Sequence, residues 1–309
     1  MTTFCKPPLP VTKQLQVWVD RGLQVDDPAS AKHYLQTIGY YRLSAYTLSF
    51  QSGGSDHSFK PGTSFEDVRL LYNFDRALRL LVLDAIERVE VAVRATINNH
   101  MSLRHGAHWY MEEARFRAGY DHKALLADIE RQCRRSKETF LRHYKDAYTS
   151  PRLPPSWMVT ELLTYGQLSR VYDNLAEFGD QKAIARVFEI NAEVLRSWVQ
   201  SIAYVRNLCA HHSRLWNREL GIAPKVPRHP QNGWIRRDVQ LADPAVDPNK
   251  RLYLILASLA YLLRAVNPES SWCGRLKGLL AEYPEVSRAH MGMPDDWESD
   301  SFWGSPVAK

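Results

Sequence analysis

The sequence has 309 residues, of which 45% are hydrophobic, so it can bury a substantial core and is not an intrinsically disordered chain. Its formal net charge of +6 is a mild basic excess, in which arginine outnumbers lysine. Because arginine binds phosphate in a bidentate manner and stacks on bases, this balance modestly favours a nucleic-acid partner.

Cysteine spacing and hydropathy narrow the class further. Cys5, Cys133, Cys209 and Cys273 form no CxxC pair, so neither a zinc ribbon nor a disulfide framework is predicted, and reduced thiols in a cytoplasm fit best. The N-terminus has no apolar signal core, and the longest apolar run, at 252–263, is well short of the roughly 20 residues that span a bilayer. We therefore expect a cytoplasmic protein with no membrane partner.

Helical periodicity dominates the chain and strand-like alternation is scarce, which predicts an all-α fold. A first helix is expected at about 12–21. A second is opened by Asp27 and Pro28, a capping residue followed by proline at the first helical position, and it runs into IGYYRLSAY at 38–46. The stretch at 51–62 is rich in glycine and serine and is predicted to be a loop.

The middle of the chain predicts one long helix. Residues 64–104 contain neither proline nor glycine, and their apolar positions follow a three-or-four spacing. Such a helix would be about 60 Å long and would act as the spine of the fold. Another helix is expected at about 122–144, and the breaker SPRLPPS at 150–156 follows it.

The C-terminal half predicts further helices around a proline-rich loop. A helix over 156–177 is expected to be interrupted near Gly166, and a short one is expected at 181–189. Asn191 can cap the next helix, which leads into RNLCAHHSRLWN at 206–217. A long loop or flap is predicted at 221–248 because it contains Pro224, Pro227, Pro230, Pro244 and Pro248.

Two final helices, at about 250–265 and 271–282, complete the predicted fold. We expect three regions along the chain. They are a small N-terminal helical region at 1–60, a helical core at 64–285, and an irregular tail at 286–309.

The segment at 206–217 concentrates groups that bind phosphate and carry protons. If 206–214 is helical, Asn207, His211 and Arg214 lie within roughly 60° of one another, whereas Arg206 lies about 140° from His211. An imidazole with a reference pKa near 6.5 can exchange protons at neutral pH, and arginine can stabilise the charge that grows on a phosphate. Asn207 can orient the histidine or a sugar. These groups suit metal-free cleavage of RNA through its 2′-hydroxyl.

The bare spacing of an arginine and a later histidine is a weak signal. A chain of this composition is expected to contain about three such pairs by chance. RATINNH at 94–100 is another match, so Arg94 and His100 stay open as a second set within one chain. A lone histidine without these neighbours is more often structural.

Other charged and aromatic residues have simpler interpretations beside functional ones. Glu87 and Glu90 lie near Arg88 and Arg94, which indicates surface ion pairs rather than a two-carboxylate enzyme. Trp216 is more often a core residue than a base-stacking platform. The helix expected at 122–145 carries a basic face that either follows an RNA backbone or is merely solvated, formed by Arg131, Arg134, Arg135, Lys137, Arg142 and Lys145.

The extended string RNLCAHHSRLWN resembles the signature of the abortive-infection AbiD/AbiF-like family, whose helical core belongs to the HEPN superfamily. Four further blocks are similar to that family's other blocks and follow in the same order. They are IGYYRLSAY at 38–46, FDRALRLLVLDAIERVEVAVRATI at 74–97, LPPSWMVTELLTYGQLSRVY at 153–172 and MGMPDDW at 291–297. The resemblance implies a HEPN-like helical bundle with a long central helix, an N-terminal helical extension and a proline-rich loop.

The resemblance also implies that the protein is an endoribonuclease toxin of phage defence, whose activity needs no cofactor and no metal. Its superfamily motif falls on Arg206, Asn207 and His211 as the catalytic residues. His212, Arg214 and Asn217 belong to the family's own extension. We assign RNA binding to these three residues and to Arg131, Arg134 and Arg135.

The implied partners are substrate RNA and a small noncoding RNA that restrains or guides the protein. From the chemistry we also expect a second copy of the chain in a homodimer, since one histidine would take a proton and another would give one. In that homodimer the two 206–217 segments would face each other. One alternative is a non-catalytic RNA-binding protein that uses the same residues to hold phosphate. Another is a protein-interaction scaffold that binds no RNA.

Overall fold

The computed structural model describes residues 3, 7–230, 233–236 and 247–304. These residues form twelve α-helices and no strand, which confirms the all-α prediction. The helices are α1 Val11–Asp20, α2 Pro28–Thr37, α3 Tyr40–Thr47, α4 Phe65–His105, α5 His122–Arg135, α6 Thr139–Ala147, α7 Ser156–Leu162, α8 Tyr165–Asp173, α9 Phe178–Val187, α10 Ala192–Ala210, α11 Leu252–Val266 and α12 Trp272–Glu282.

The chain divides into two compact units. The first comprises Met1–Leu78 and Leu279–Val286, and the second comprises Arg79–Gly278 and Ser287–Lys309. The three-region division expected from the sequence stays a prediction.

In the first unit, short-range signals account for most of the helix boundaries. The side chain of Asp27 accepts hydrogen bonds from the backbone N–H groups of Ala29 and Ser30, both at 3.0 Å, so it caps α2 as predicted. The expected continuation of this helix through 38–46 is wrong. Gly39 has φ +95°, a conformation that glycine adopts readily, and it separates α2 from α3.

The core of the first unit is aromatic. The ring of Trp18 stacks on that of Tyr40 at 4.9 Å and lies 6.4 Å from the ring of Phe65, the first residue of α4. The hydroxyl of Tyr46 donates a 2.6 Å hydrogen bond to the buried carboxylate of Asp75. These contacts pack α1 and α3 against the start of the long helix.

The long helix α4 confirms the prediction made from the uninterrupted 64–104 stretch. It runs for 41 residues, which corresponds to about 60 Å. Its buried positions recur every three or four residues, as the apolar pattern requires.

Two predicted helices of the second unit are in fact four. The helix expected at 122–144 is divided by an extended segment, because Ser136 and Glu138 have ψ values of 138° and 135°. The helix expected at 156–177 breaks at Leu163 and Thr164 instead of Gly166, which lies inside α8. Thr164 begins α8 with a reciprocal capping box.

Helix α10 is at the centre of the second unit, where it packs against α8, α9 and α11. Trp198 is fully buried, and its indole N–H donates a 2.8 Å hydrogen bond to the carbonyl of Lys225. Its ring stacks on Trp234 at 5.1 Å. The described part of the proline-rich segment is therefore packed against α10 instead of forming a free flap, while Pro244 lies outside the described residues.

The remaining elements surround this core. Helix α11 has a fully buried run from Leu252 to Leu263, yet no described helix is long and apolar enough to cross a membrane. The segment at 287–304 is irregular, as expected, but it is well packed, because Met291, Trp297 and Trp303 are buried.

Candidate functional site

The condition that 206–214 is helical is not met, because α10 ends at Ala210. The backbone N–H of His212 donates to the carbonyl of Cys209, and that of Ser213 donates to the carbonyl of Leu208, both at 2.9 Å. This bond pair is a Schellman motif, which ends a helix by placing one residue in the left-handed region. The face expected to join Asn207, His211 and Arg214 therefore does not exist as a helical stripe.

His212 occupies the left-handed position of this motif, with φ +55°. Glycine is the usual residue there, since a Cβ atom in this conformation costs roughly 1–2 kcal/mol. We expect His212→Gly to raise the free energy of unfolding by about 1 kcal/mol, as measured by urea denaturation. An unchanged or lower stability would show that the His212 side chain contributes more than its backbone strain costs.

The last turns of α10 carry the predicted catalytic residues. Asn207 and His211 are exposed, and Arg206 is half-buried. One guanidinium nitrogen of Arg206 lies 3.5 Å from the Oδ1 atom of Asn207. The backbone N–H of His211 still bonds to the carbonyl of Asn207, so these residues share one helix end. Their catalytic roles stay predictions.

Glu90 of α4 lies beside this helix end, which the sequence interpretation missed. Its carboxylate is 4.0 Å from the Nε atom of Arg206 and accepts a 2.9 Å hydrogen bond from Arg94. The side chains of Glu90 and Arg94 are only 15% and 13% exposed, so the expected surface ion pair is wrong for this pair. Glu90 therefore carries a largely buried negative charge between two arginines, Arg94 and Arg206.

Residues 214–218 form a folded turn after the helix. A guanidinium nitrogen of Arg214 donates to the carbonyl of Asn217 at 3.3 Å, and Arg251 donates to the Asn217 side chain at 3.3 Å. Trp216 is 2% exposed, which agrees with its interpretation as a core residue. Its indole N–H donates to the carbonyl of Ser287 at 2.9 Å. The turn is thus held by its own side chains and by contacts with Arg251 and Ser287, while RNA binding by Arg214 and Asn217 stays a prediction.

The other predicted RNA-binding residues lie on α5. Arg131, Arg134 and Arg135 are all exposed, the last two in the final turn of the helix. Arg131 forms an ion pair with Asp128. The extended residues after Arg135 interrupt the basic face that was expected to continue to residue 145, and RNA binding by these three arginines stays a prediction.

Arg94 and His100, the alternative set, have different partners. Arg94 binds Glu90 and also donates to the carbonyl of Leu163 at 3.3 Å. His100 donates from Nε2 to the carboxylate of Asp180 at 2.7 Å. These contacts give His100 a structural partner, and a catalytic role for the pair stays open.

Asp180 is the centre of a buried ionic cluster in the second unit. Its side chain is 2% exposed and accepts hydrogen bonds from His100, from His105 at 2.8 Å and from Arg104 at 2.9 Å. Burial alone would raise the pKa of this carboxyl, but the hydrogen bonds from the two histidines and the nearby charge of Arg104 outweigh burial and lower the pKa below its ordinary value. Asp180 is therefore ionised and fixes the end of α4 to α9.

Among the described residues, His105, Glu177 and Asp180 bring three potential metal ligands within 4.8 Å of one another. Arg104 donates to both carboxylates, at 2.7 Å to Glu177 and at 2.9 Å to Asp180. A guanidinium thus supplies the positive charge that this cluster needs, so we assign it a structural role and not a metal centre.

Together the fold and the site define an all-α protein in which the exposed C-terminal end of α10 carries an arginine, an asparagine and two histidines. The chain belongs to the family of Abi-like proteins, which matches residues 33–217. No curated protein and no solved structure matches the chain significantly. Membership in this family indicates a role in abortive infection, the bacterial defence in which an infected cell stops growing.

Proposed function

We propose that the protein is a metal-independent endoribonuclease of the HEPN type that acts as a toxin in abortive infection. The observation that carries the proposal is the common position of Arg206, Asn207 and His211 at the exposed end of α10, in a member of the Abi-like family.

The proposed reaction is attack by the ribose 2′-hydroxyl on the adjacent phosphate. His211 would accept the hydroxyl proton, since an imidazole can exchange protons near neutral pH. Arg206 would hold the phosphate and stabilise the negative charge that develops on its oxygens. The 2′-oxygen forms a new bond to phosphorus, the bond to the 5′-oxygen breaks, and that oxygen takes up a proton as it leaves.

Glu90 is well placed to position Arg206. A guanidinium on an exposed helix end samples many rotamers, and the buried carboxylate 4.0 Å away limits them. Arg94 shares the carboxylate, so Glu90 does not fully neutralise both arginines. Arg94 also pairs with Glu161 at 3.6 Å, so Arg206, whose contact with Glu90 is longer at 4.0 Å, is the arginine proposed to hold the phosphate.

This chemistry predicts cleavage products with 2′,3′-cyclic phosphate ends. We expect cleavage of labelled single-stranded RNA to persist in EDTA, and we expect DNA of the same sequence to stay intact. The matched control is RNA methylated at every 2′ position, which keeps its charge and base sequence but lacks the nucleophile.

Cleavage of the methylated RNA at the normal rate would exclude this mechanism. RNA that is shifted in a gel but remains uncut would instead favour the non-catalytic binding protein.

The active form is proposed to be a two-fold dimer with the 206–217 segments facing each other. One histidine can take a proton and another can give one, so two copies of His211 would complete the chemistry. A two-fold contact uses the same patch twice and is the commonest arrangement of identical chains. A small noncoding RNA as regulator is part of the same proposal.

Mixing wild-type and inactive chains tests the dimer. If each site needs His211 from both chains, equal amounts of wild-type and His211→Ala chains should leave about a quarter of wild-type cleavage, since only about a quarter of the dimers have two intact histidines, whereas chains that act alone would leave about half. Light scattering on the same samples gives the mass. A strictly monomeric protein that cleaves RNA would contradict the dimer.

A further inference from the structure

A groove of about 830 Å³ lies in the second unit where α9 meets the start of α10. Its walls come from both helices and from the segment at 225–229. Four basic side chains line it, namely Lys182, Arg186, Lys225 and Arg228. Two acidic residues, Glu189 and Glu193, also line it, so the groove has an excess of positive charge.

An aromatic ring is part of the same groove. Phe178, the first residue of α9, is 46% exposed, which is unusual for a phenylalanine. The ammonium group of Lys182 lies 4.8 Å from the centre of its ring. Basic side chains next to an exposed aromatic face are the combination by which proteins bind single-stranded nucleic acid without regard to sequence.

The start of α10 adds to the positive character of the groove. Ala192 and Glu193, the first residues of the helix, line it, and the side chain of Asn191 makes no capping hydrogen bond. The first N–H groups of a helix have no partner within it, and the helix dipole is positive at this end.

Helix α10 also connects the groove to the proposed cleavage site. Ala192 and Arg206 are 14 positions apart, so they lie about 21 Å apart along the helix and roughly 40° apart around it. A strand with stacked bases rises about 3.4 Å per nucleotide, so roughly six nucleotides would span this distance.

We propose that this groove binds a single-stranded part of the RNA substrate outside the cleavage site. Phosphates lie beside Lys182 and Arg186, since Lys225 already pairs with Glu193 at 3.5 Å, and one base stacks on Phe178. The inference rests on the proposed function, and it names a surface that selects substrates by length and single-stranded character and not by sequence.

The first test measures binding of a labelled 12-nucleotide RNA by fluorescence anisotropy in EDTA. The reference protein and each groove variant also carry His211→Ala, so that the RNA is not cut during the measurement. Two phosphate contacts are removed by Lys182→Ala combined with Arg186→Ala. The logarithm of the binding constant falls linearly with the logarithm of the salt concentration, and each phosphate contact to a single strand contributes about 0.7 to the steepness of that line. The steepness should therefore decrease by about 1.4, and the affinity should fall at least tenfold near 0.1 M salt. Phe178→Ala should weaken binding without changing the slope.

The matched control is Lys13→Ala combined with Arg76→Ala, which removes the same charge from exposed positions in the first unit. It should bind RNA like the unaltered protein. An equal loss in the control would show a general charge effect and overturn the inference. Normal RNA binding by groove variants that circular dichroism shows to be folded would also overturn the inference. The groove would then be better explained as a site for an acidic protein partner.

A second measurement separates this inference from the proposed function. In chains that keep His211, the groove substitutions should lower kcat/KM for a 12-nucleotide RNA but not for a four-nucleotide RNA, which is too short to reach the groove. Normal cleavage of both RNAs by the groove variant overturns the inference and leaves the nuclease proposal intact. If the protein cuts neither RNA but its binding of RNA still depends on the groove, the nuclease proposal fails and the groove inference holds.

Discussion

His211→Ala is expected to abolish RNA cleavage and cellular toxicity while leaving the fold intact. His211 follows the last residue of α10 and its side chain is exposed, so removal of the ring creates no cavity. Loss of a group that transfers protons in the transition state lowers a rate by roughly 10²–10⁴-fold. Cleavage of labelled RNA, growth after induced expression and the thermal midpoint measure the three parts of this expectation.

Two further histidine variants serve as controls. His143→Ala removes another exposed imidazole, from α6, and should have no effect on cleavage. His212→Ala shows whether the neighbouring ring is the proton carrier instead. Undiminished cleavage by a well-folded His211→Ala protein would falsify the assignment of His211.

Asp180→Asn is expected to cause a large loss of stability. The substitution keeps the shape of the side chain but removes the charge that His100, His105 and Arg104 contact. A hydrogen bond to a charged group contributes about 1.5–3 kcal/mol, and the 47% exposed Arg104 can be solvated once its partner is lost, so we expect a loss of about 3 kcal/mol. Urea denaturation should show this as a lower midpoint with an unchanged slope.

The pH dependence of stability gives a second measure of Asp180. Its pKa is lowered in the folded protein, so its ionised form favours folding. This contribution is fully present above the unfolded pKa, about 4, and is lost as pH falls through the lower folded pKa. In Asp180→Asn, that part of the acid destabilisation should disappear.

Asp128→Asn is the matched control, because Asp128 pairs with Arg131 on the surface of α5. An exposed pair contributes only about 0–1 kcal/mol. Equal losses from the two substitutions would contradict the role given to the buried cluster.

The sequence predicted the fold where the signal is short-range. Asp27 followed by Pro28 marked the start of α2, and the absence of proline and glycine over 64–104 marked α4. The break after Arg135 had no such signal, since Ser136, Lys137 and Glu138 include no strong helix breaker. Tertiary packing of two short amphipathic helices overrides a weak local preference there.

The site was predicted in composition but not in geometry. The residue types at 206–212 indicated phosphate binding and proton transfer, yet the helix end could not be read because histidine, not glycine, takes the left-handed position at 212. Glu90 looked like half of a surface pair because its spacing to Arg94 is ordinary. Its burial beside Arg206 depends on the packing of residues more than a hundred positions apart, which local spacing does not encode.

Trp216 packs against residues 287–290, so the 206–217 segment depends on a part of the chain that is distant in sequence. The part of the chain that matches the Abi-like family ends at residue 217, one position after this tryptophan. Yet the indole is held by the carbonyl of Ser287 and touches the ring of His290 at 5.0 Å. A fragment cut at the family boundary would keep every letter of the RNLCAHHSRLWN string and lose the surface on which its turn rests. For this protein, the smallest unit that can be transplanted into another chain is therefore larger than the motif by which it is recognised.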